Sequence, residues 1–294
     1  MTTSSSELEG TGPSPSASPG ASPRLELSDI SVRFGGIVAL DGVAFDVMPD
    51  EVLGIIGPNG AGKTTLFDVV TGVRPPSSGR VTLEGADVTS TSATHRSRLG
   101  MRRTFQRVQT FGWLSVEDNV LAALEWHGGG GGFLADTVSW PGRRARERQR
   151  REQAAEVLER CGLTSVRREM AASLPIGIAR MLEMARAMVD GPSILLLDEP
   201  ASGLDETEIE RLGNLIQTVR SDSGCAVMLV EHNAGFVMAQ TDRIVVLDRG
   251  RVLAQGSPTE IQNDRRVRDA YLGDLSFDGD SDGPGEPSDG GSRA

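Results

Sequence analysis

The segment Gly57-Pro58-Asn59-Gly60-Ala61-Gly62-Lys63-Thr64-Thr65 constrains the fold of this chain more than any other. Its glycines let the backbone curl until successive N–H groups converge on one point. Before it, Val52-Leu53-Gly54-Ile55-Ile56 is an apolar run that reads as a buried strand. After it, Thr65-Leu66-Phe67-Asp68-Val69-Val70 reads as a helix, ended by Gly72 and followed by Pro75-Pro76. Strand, glycine loop and helix N-terminus together favour a bound anion, because free N–H groups and the helix dipole point the same way. The G-x-x-x-x-G-K-[ST] spacing is that of a loop wrapping the phosphates of a nucleotide.

Lys63 is the only lysine among 30 lysines and arginines. Arginine is a planar fork suited to bidentate pairing, whereas lysine is a compact ammonium on a slender stem. A nest of backbone N–H groups has room for a point charge and little for a fork, so the lone lysine reads as chosen for its shape.

Other apolar runs extend this beginning. Ile194-Leu195-Leu196-Leu197, Ala226 to Val230 and Ile244 to Leu247 are continuous, as strands buried on both faces of a parallel sheet must be. The stretch from Glu206 to Arg220 reads as a crossover helix. Leu25 to Phe34 and Ile37 to Val47, joined by Gly35-Gly36, read as a hairpin, with further short strands at Arg80 to Leu83 and Arg102 to Phe105. Between the P-loop part and Ile194 the pattern turns helical. Ser115 opens a capping-box-like start with Val116, Val120 and Leu124 on one face, and Arg144 to Leu158 has helical spacing. Five glycines at 128–132 read as a flexible loop. The chain is thus expected to be an α/β core over residues 25–275, with a helical subdomain at about 109–189 and disordered tails at 1–24 and 276–294.

Bulk properties narrow the function. A net charge of −11 argues against nucleic acid as the main partner. No apolar stretch approaches the ~20 residues that cross a bilayer. Cys161 and Cys225 lack a C-x-x-C or histidine companion and read as buried free thiols. The basic run from Arg143 to Arg151 reads either as a face for anionic lipid or a membrane subunit, or as a solvated helix face with Arg–Glu pairs.

The strand Ile194 to Leu197 ends in Asp198-Glu199-Pro200, and carboxylates at the carboxyl end of a parallel strand point into the phosphate crevice. One can hold Mg²⁺ together with Thr64, and the other can orient or deprotonate an attacking water.

With this P-loop, Ala201-Ser202-Gly203-Leu204-Asp205, Val230-Glu231-His232 and Arg103-Thr104-Phe105-Gln106 make the chain resemble an ATP-binding-cassette (ABC) ATPase, over nearly all of 25–275. They look like that family's D-loop, switch histidine and Q-loop, in the family's order. The resemblance implies a P-loop NTPase (RecA-like) core with an N-terminal antiparallel β subdomain and a helical insert. It implies ATP bound by Gly57, Pro58, Asn59, Gly60, Ala61, Gly62, Lys63, Thr64 and Thr65. Lys63, Glu199 and His232 would be catalytic, and Thr64, Gln106 and Asp198 would serve the metal. Phe34 matches the residue on which the family stacks adenine, although a core phenylalanine is the competing reading. Asp205 and Gly177 would contact nucleotide from the dimer interface. The family signature Leu-Ser-Gly-Gly-Gln is here Leu174-Pro175-Ile176-Gly177-Ile178, which loses a hydroxyl and a backbone donor at Pro175. The contact across the dimer is then altered, and a pair with a different chain becomes asymmetric.

The segments Val32 to Gly36, Ala39 to Val43 and Gly256 to Gly273 resemble the branch that powers branched-chain amino-acid uptake; urea and short-amide transporters are similar. This implies a second ATPase subunit, identical or not, two integral-membrane permease subunits and, indirectly, an extracytoplasmic substrate-binding protein. The chain would sit peripherally on the cytoplasmic face of the membrane. A soluble ABC ATPase acting on DNA or ribosomes is disfavoured by the single cassette and the acidic balance, and a P-loop kinase by the D-loop and histidine segments. The shape argument makes its own prediction. Lys63→Arg keeps the charge yet should abolish ATP hydrolysis in a steady-state phosphate-release assay, and near-normal turnover would refute it.

Overall fold

The computed structural model describes residues 22–125 and 141–271. The pentaglycine 128–132, the 276–294 tail and nearly all of the 1–24 tail lie outside the described residues. In chain order the elements are β1 (Leu25–Phe34), β2 (Ile37–Val47), β3 (Val52–Ile56), α1 (Lys63–Val70), β4 (Ser78–Leu83), β5 (Ala86–Asp87), α2 (Ala93–Arg98) and β6 (Met101–Arg103). There follow α3 (Val116–Glu125), α4 (Pro141–Arg160), α5 (Ile176–Met188), β7 (Ile194–Asp198), α6 (Glu206–Ser223), β8 (Ala226–Val230), α7 (Ala234–Gln240), β9 (Arg243–Asp248), β10 (Arg251–Gly256), α8 (Pro258–Asn263) and α9 (Arg265–Tyr271).

Two sheets form. One is antiparallel in the order β2-β1-β4-β5, and the other runs β10-β9-β3-β8-β7-β6. In the second, β9, β3, β8, β7 and β6 are parallel and only the edge strand β10 is antiparallel. The continuous apolar runs are explained by burial on both faces. Along β7, Ile194 and Leu196 enter the core beneath the antiparallel sheet and α1, while Leu195 and Leu197 enter the core beneath α3, α4, α5 and α6. Strand β8 divides in the same way, with Ala226, Met228 and Val230 on one side and Val227 and Leu229 on the other. Period-2 alternation thus makes one sheet the shared wall of two cores.

The helical part behaves as its sequence pattern predicts. Val116, Val120 and Leu124 of α3 are buried against Ala154, Val157 and Leu158 of α4 and the apolar face of α5. The Ser115 Oγ accepts from Asp118 N at 3.0 Å and caps α3. On α4, Arg148 pairs with Glu152 and Arg151 with Glu147 on the exposed surface, as the solvated-face reading expects. Burial pushes the Cys161 and Cys225 thiols up to about 12, which leaves them un-ionised at neutral pH. One strand is shorter than the sequence suggests. β6 stops at Arg103, and Thr104 N makes a last bond to Leu196 O at 2.9 Å before the chain leaves the sheet.

A fully buried cation holds the α1 end of the core. Arg96 donates to Val69 O and Val70 O at 2.6 Å, at the carboxyl end of α1, and to Val88 O and Thr89 O at 2.6 and 3.1 Å. Desolvation brings its pKa down to about 10, so it stays charged at neutral pH. Gly72, at φ +74°, turns the chain where a Cβ would meet the Arg96 Nε at 2.8 Å. Arg96→Met keeps the bulk but removes all four of these buried, charge-assisted hydrogen bonds. It should cost about 3 kcal/mol or more of unfolding free energy, read as a lower urea midpoint with an unchanged slope.

Candidate functional site

The site lies where four neighbouring parallel strands end. In the order β3, β8, β7, β6, their carboxyl ends lead into Gly57, Glu231, Glu199 and the loop to Gln106. Residues far apart in sequence meet because the sheet order places these exits side by side.

At the β3 exit the loop is shaped by two glycines, Gly57 and Gly62, with no room for a side chain. A Cβ on Gly57 would lie 2.3 Å from Leu247 O, and one on Gly62, at φ +106°, would lie 2.7 Å from Ala39 O. Gly62 is also the N-cap of α1, which therefore starts without a side-chain cap. The Lys63 ammonium is buried and spans the loop, donating to Gly57 O at 2.5 Å and Pro58 O at 3.1 Å. Burial lowers its pKa, while the negative charges of Glu199 and Asp198 work in the opposite direction. Asn59, Gly60 and Thr64 are exposed at the mouth of the loop, Pro58 and Thr65 are half-buried, and Ala61 is buried beneath it.

At the β7 exit Asp198 is buried and Glu199 adopts φ +48°, a left-handed conformation that costs a non-glycine residue of order 1 kcal/mol. The turn is held by Glu199 N donating to Val230 O at 2.8 Å. It presents the Glu199 carboxylate to two residues that the sequence had singled out for other roles. Gln106 Nε2 donates to Glu199 Oε2 at 2.8 Å, and His232 Nε2 lies 2.9 Å from Glu199 Oε1. The imidazole donates in the tautomer with its proton on Nε2. Sequence reasoning named these three residues separately, and the fold brings them into one hydrogen-bonded row.

Other predicted residues lie farther out. Phe34 is 41% exposed at the β1–β2 turn, with the Arg74 guanidinium 4.4 Å from its ring centre. It is a surface platform, and the core-phenylalanine reading does not describe it. Asp205 is the N-cap of α6, in a capping box with Glu208. Gly177 lies in the first turn of α5, where a Cβ would fall 1.8 Å from Glu208 Oε1. Both have structural reasons within their own chain. Pro175 is the N-cap of α5, with no side-chain cap bond.

Two residues at the site carry roles that sequence reasoning did not see. Arg103 donates to Asp198 Oδ2 at 2.8 Å and to Asp68 Oδ1 at 2.9 Å, tying β6, β7 and α1 together. Glu231 is buried, and its carboxylate accepts from Ala201 N at 2.7 Å and His232 N at 3.0 Å. Burial raises its pKa, and the nearby Glu199 charge adds to the rise. It joins the loop 201–205 to the histidine segment through backbone. The only signal was a charged residue directly after a fully apolar strand.

A family model described as ABC transporter matches residues 40–202, and one described as Branched-chain amino acid ATP-binding cassette transporter matches residues 251–274. The chain is 40% identical to the high-affinity branched-chain amino acid transport ATP-binding protein BraF of Pseudomonas aeruginosa, covering 86% of this chain and 98% of that one. It is 38% identical, with the same coverage, to LivG of Escherichia coli K12, and 32% identical to the lipopolysaccharide export system ATP-binding protein LptB, covering 85% and 97%. Among solved structures, the ADP conformation of an ATP-binding cassette of an ABC transporter superposes with a TM-score of 0.74 at 28% identity, covering 86% of this chain and 99% of that one.

Glu231→Gln places an amide NH₂ where the carboxylate accepted backbone protons. Amide exchange at Ala201 and His232 should accelerate by on the order of 10- to 100-fold, while amides in the middle of β8 stay protected. Unchanged exchange at both would show that the carboxylate does not hold the two segments together.

Proposed function

The chain belongs to the ABC transporter family of ATPases, and from that premise we propose that it binds and hydrolyses ATP to power an importer of branched-chain amino acids. The observation that carries the hydrolytic reading is the row Gln106–Glu199–His232, set at the strand exits beside the Lys63 loop.

The triphosphate lies in the loop 57–65, where backbone N–H groups and the uncapped start of α1 receive it and the Lys63 ammonium supplies the point charge. Adenine stacks on Phe34. Glu199 polarises the attacking water, held in place by Gln106 on one oxygen and His232 on the other, and His232 also reaches the γ-phosphate. The left-handed backbone at Glu199 aims its side chain at this point. Thr64, Asp198 and Gln106 offer a hydroxyl, a carboxylate and an amide oxygen, the hard donor set that suits Mg²⁺, and Arg103 engages only one carboxylate oxygen of Asp198. Mg²⁺ bound there would neutralise charge on the transferring phosphate oxygens.

A second ATPase subunit completes the site through its own segment equivalent to 174–178 and its D-loop, with Gly177 and Asp205 of this chain contributing to the partner's site. Because Pro175 removes a hydroxyl and an N–H donor, this chain handicaps the site of its partner, and a pair with a different chain becomes asymmetric. Two integral-membrane permease subunits form the pore, an extracytoplasmic binding protein delivers cargo, and the chain sits on the cytoplasmic face. No helix among the described residues is long and apolar enough to cross a membrane. The cargo assignment is supported by the branched-chain family match over β10, α8 and α9, and by the names of the BraF and LivG relatives.

Glu199→Gln should lower ATP turnover by about 100-fold or more while nucleotide still binds. Retained turnover overturns the assignment of Glu199. Affinity purification from membranes should bring down a multi-span partner, and vesicles holding that assembly with ATP sealed inside should take up leucine, isoleucine or valine presented outside with the binding protein. Uptake of urea or short amides instead would move the cargo assignment.

A further inference from the structure

Helix α5 grips the loop that carries Gln106. Arg180 and Glu183, one turn apart, are 2% and 5% exposed. Arg180 donates through one terminal nitrogen to Phe105 O and to Glu183 Oε2, each at 2.9 Å, and through the other to Gln106 O at 3.0 Å. Glu183 Oε1 accepts from Phe105 N at 3.3 Å. Two turns beyond Arg180 on α5, Arg186 donates to Gln109 O. Both polar backbone groups of Phe105, and the carbonyls of Gln106 and Gln109, are therefore held by three charged side chains of one helix.

The Gln106 side chain points the other way, to Glu199. One unbroken path thus runs from α5 through Arg180 to the Gln106 backbone, then through the Gln106 amide to Glu199 and His232. The N-terminal turn of the same helix carries Ile176 to Ile178, the end of the variant signature segment. A buried ion pair is a poor way to gain stability, since desolvation offsets the attraction. Desolvation indeed raises the Glu183 pKa, against the opposing bonds from Phe105 N and Arg180. The Arg180 Nε is also buried, with no hydrogen-bond partner among the described residues. What the arrangement achieves is fixed geometry.

The required movement is small. Arg180 lies 8 residues from the Met188 end of α5, or ~12 Å along its axis, so a ~5° tilt about that end displaces it by ~1 Å. A hydrogen bond of 2.8 Å does not survive a stretch of ~1 Å.

We infer that Arg180 and Glu183 are positioning residues, a clamp by which the seating of α5 sets whether Gln106 reaches Glu199. A contact made at the Leu174–Ile178 segment is thereby read at the hydrolytic carboxylate of the same chain. The clamp regulates the site assigned under Proposed function and rests on that reading of Glu199.

The test uses the full chain purified with the subunits it brings down. Glu183→Gln keeps the shape of the side chain, and Arg180→Gln is made together with it so that no carboxylate is left stranded. Each variant should lower kcat by about tenfold, the scale of a misplacement below 1 Å, with KM for ATP unchanged within about twofold. In a Gln106→Ala background the same changes should alter kcat by less than about twofold, because the path is already cut. A full loss that persists in that background, or a raised KM at unchanged kcat, overturns the clamp. Should the double variant fail to fold, Glu183→Gln alone decides the matter by the same two readouts. Glu199→Gln run in parallel separates the two claims. If it retains turnover, the reading of Glu199 falls. If it abolishes turnover while clamp variants run at normal kcat, only the clamp falls.

Discussion

Burial of the parallel sheet on both faces governs everything else in this protein. Strands such as β7 and β8 give every apolar side chain to one core or the other, so the only polar side chain on either, Asp198, stands at the carboxyl end of β7. Chemistry can then reside only where the strands end. The order β3-β8-β7-β6 gathers four such ends into a single edge. A sheet with one wet face would have had no such restriction, and its polar residues would have been dispersed along the strands.

At that edge, position is enforced by main chain more than by side-chain packing. The Glu199 turn is pinned by its own N–H on Val230, and the loop after it is pinned to Glu231 through Ala201 N. The P-loop is bent by glycines whose missing Cβ atoms are replaced by neighbouring carbonyl oxygens. Such a site tolerates left-handed strain at one carboxylate because the surrounding bonds over-determine it. The Glu199 carboxylate, the Gln106 amide and the His232 imidazole therefore meet without a long rotamer search.

Much of this was legible in the sequence, for identifiable reasons. Glycine spacing reports backbone geometry directly, so the loop around Lys63 and its flanking strand and helix were readable. Unbroken Leu, Val and Ile runs report two-sided burial, so β7, β8 and β9 were readable too. Glu199 was read from its place at a strand end, and Gln106 and His232 from motif resemblance, but that one carboxylate receives both partners appears only in three dimensions. The least legible residues were Arg96, Arg103, Arg180 and Glu231. Each is a charged side chain, buried or half-buried, with at least one partner far away in sequence, and several of those partners are backbone atoms, whose identity leaves no trace in residue type or periodicity. The end of β6 was misjudged by two residues because Thr104 and Phe105 look like strand while their hydrogen bonds belong to α5 and the sheet edge.

The carboxylate of Glu208 sits at a junction of two elements. One oxygen receives the Asp205 N–H to close the box that starts α6, and the other fills the space where Gly177 lacks a side chain. Any side chain at 177 would evict that carboxylate, and the start of α6 would lose half of its cap. A substitution at 177 is therefore felt at the first turn of a different helix, 31 positions along the chain, through one displaced carboxylate.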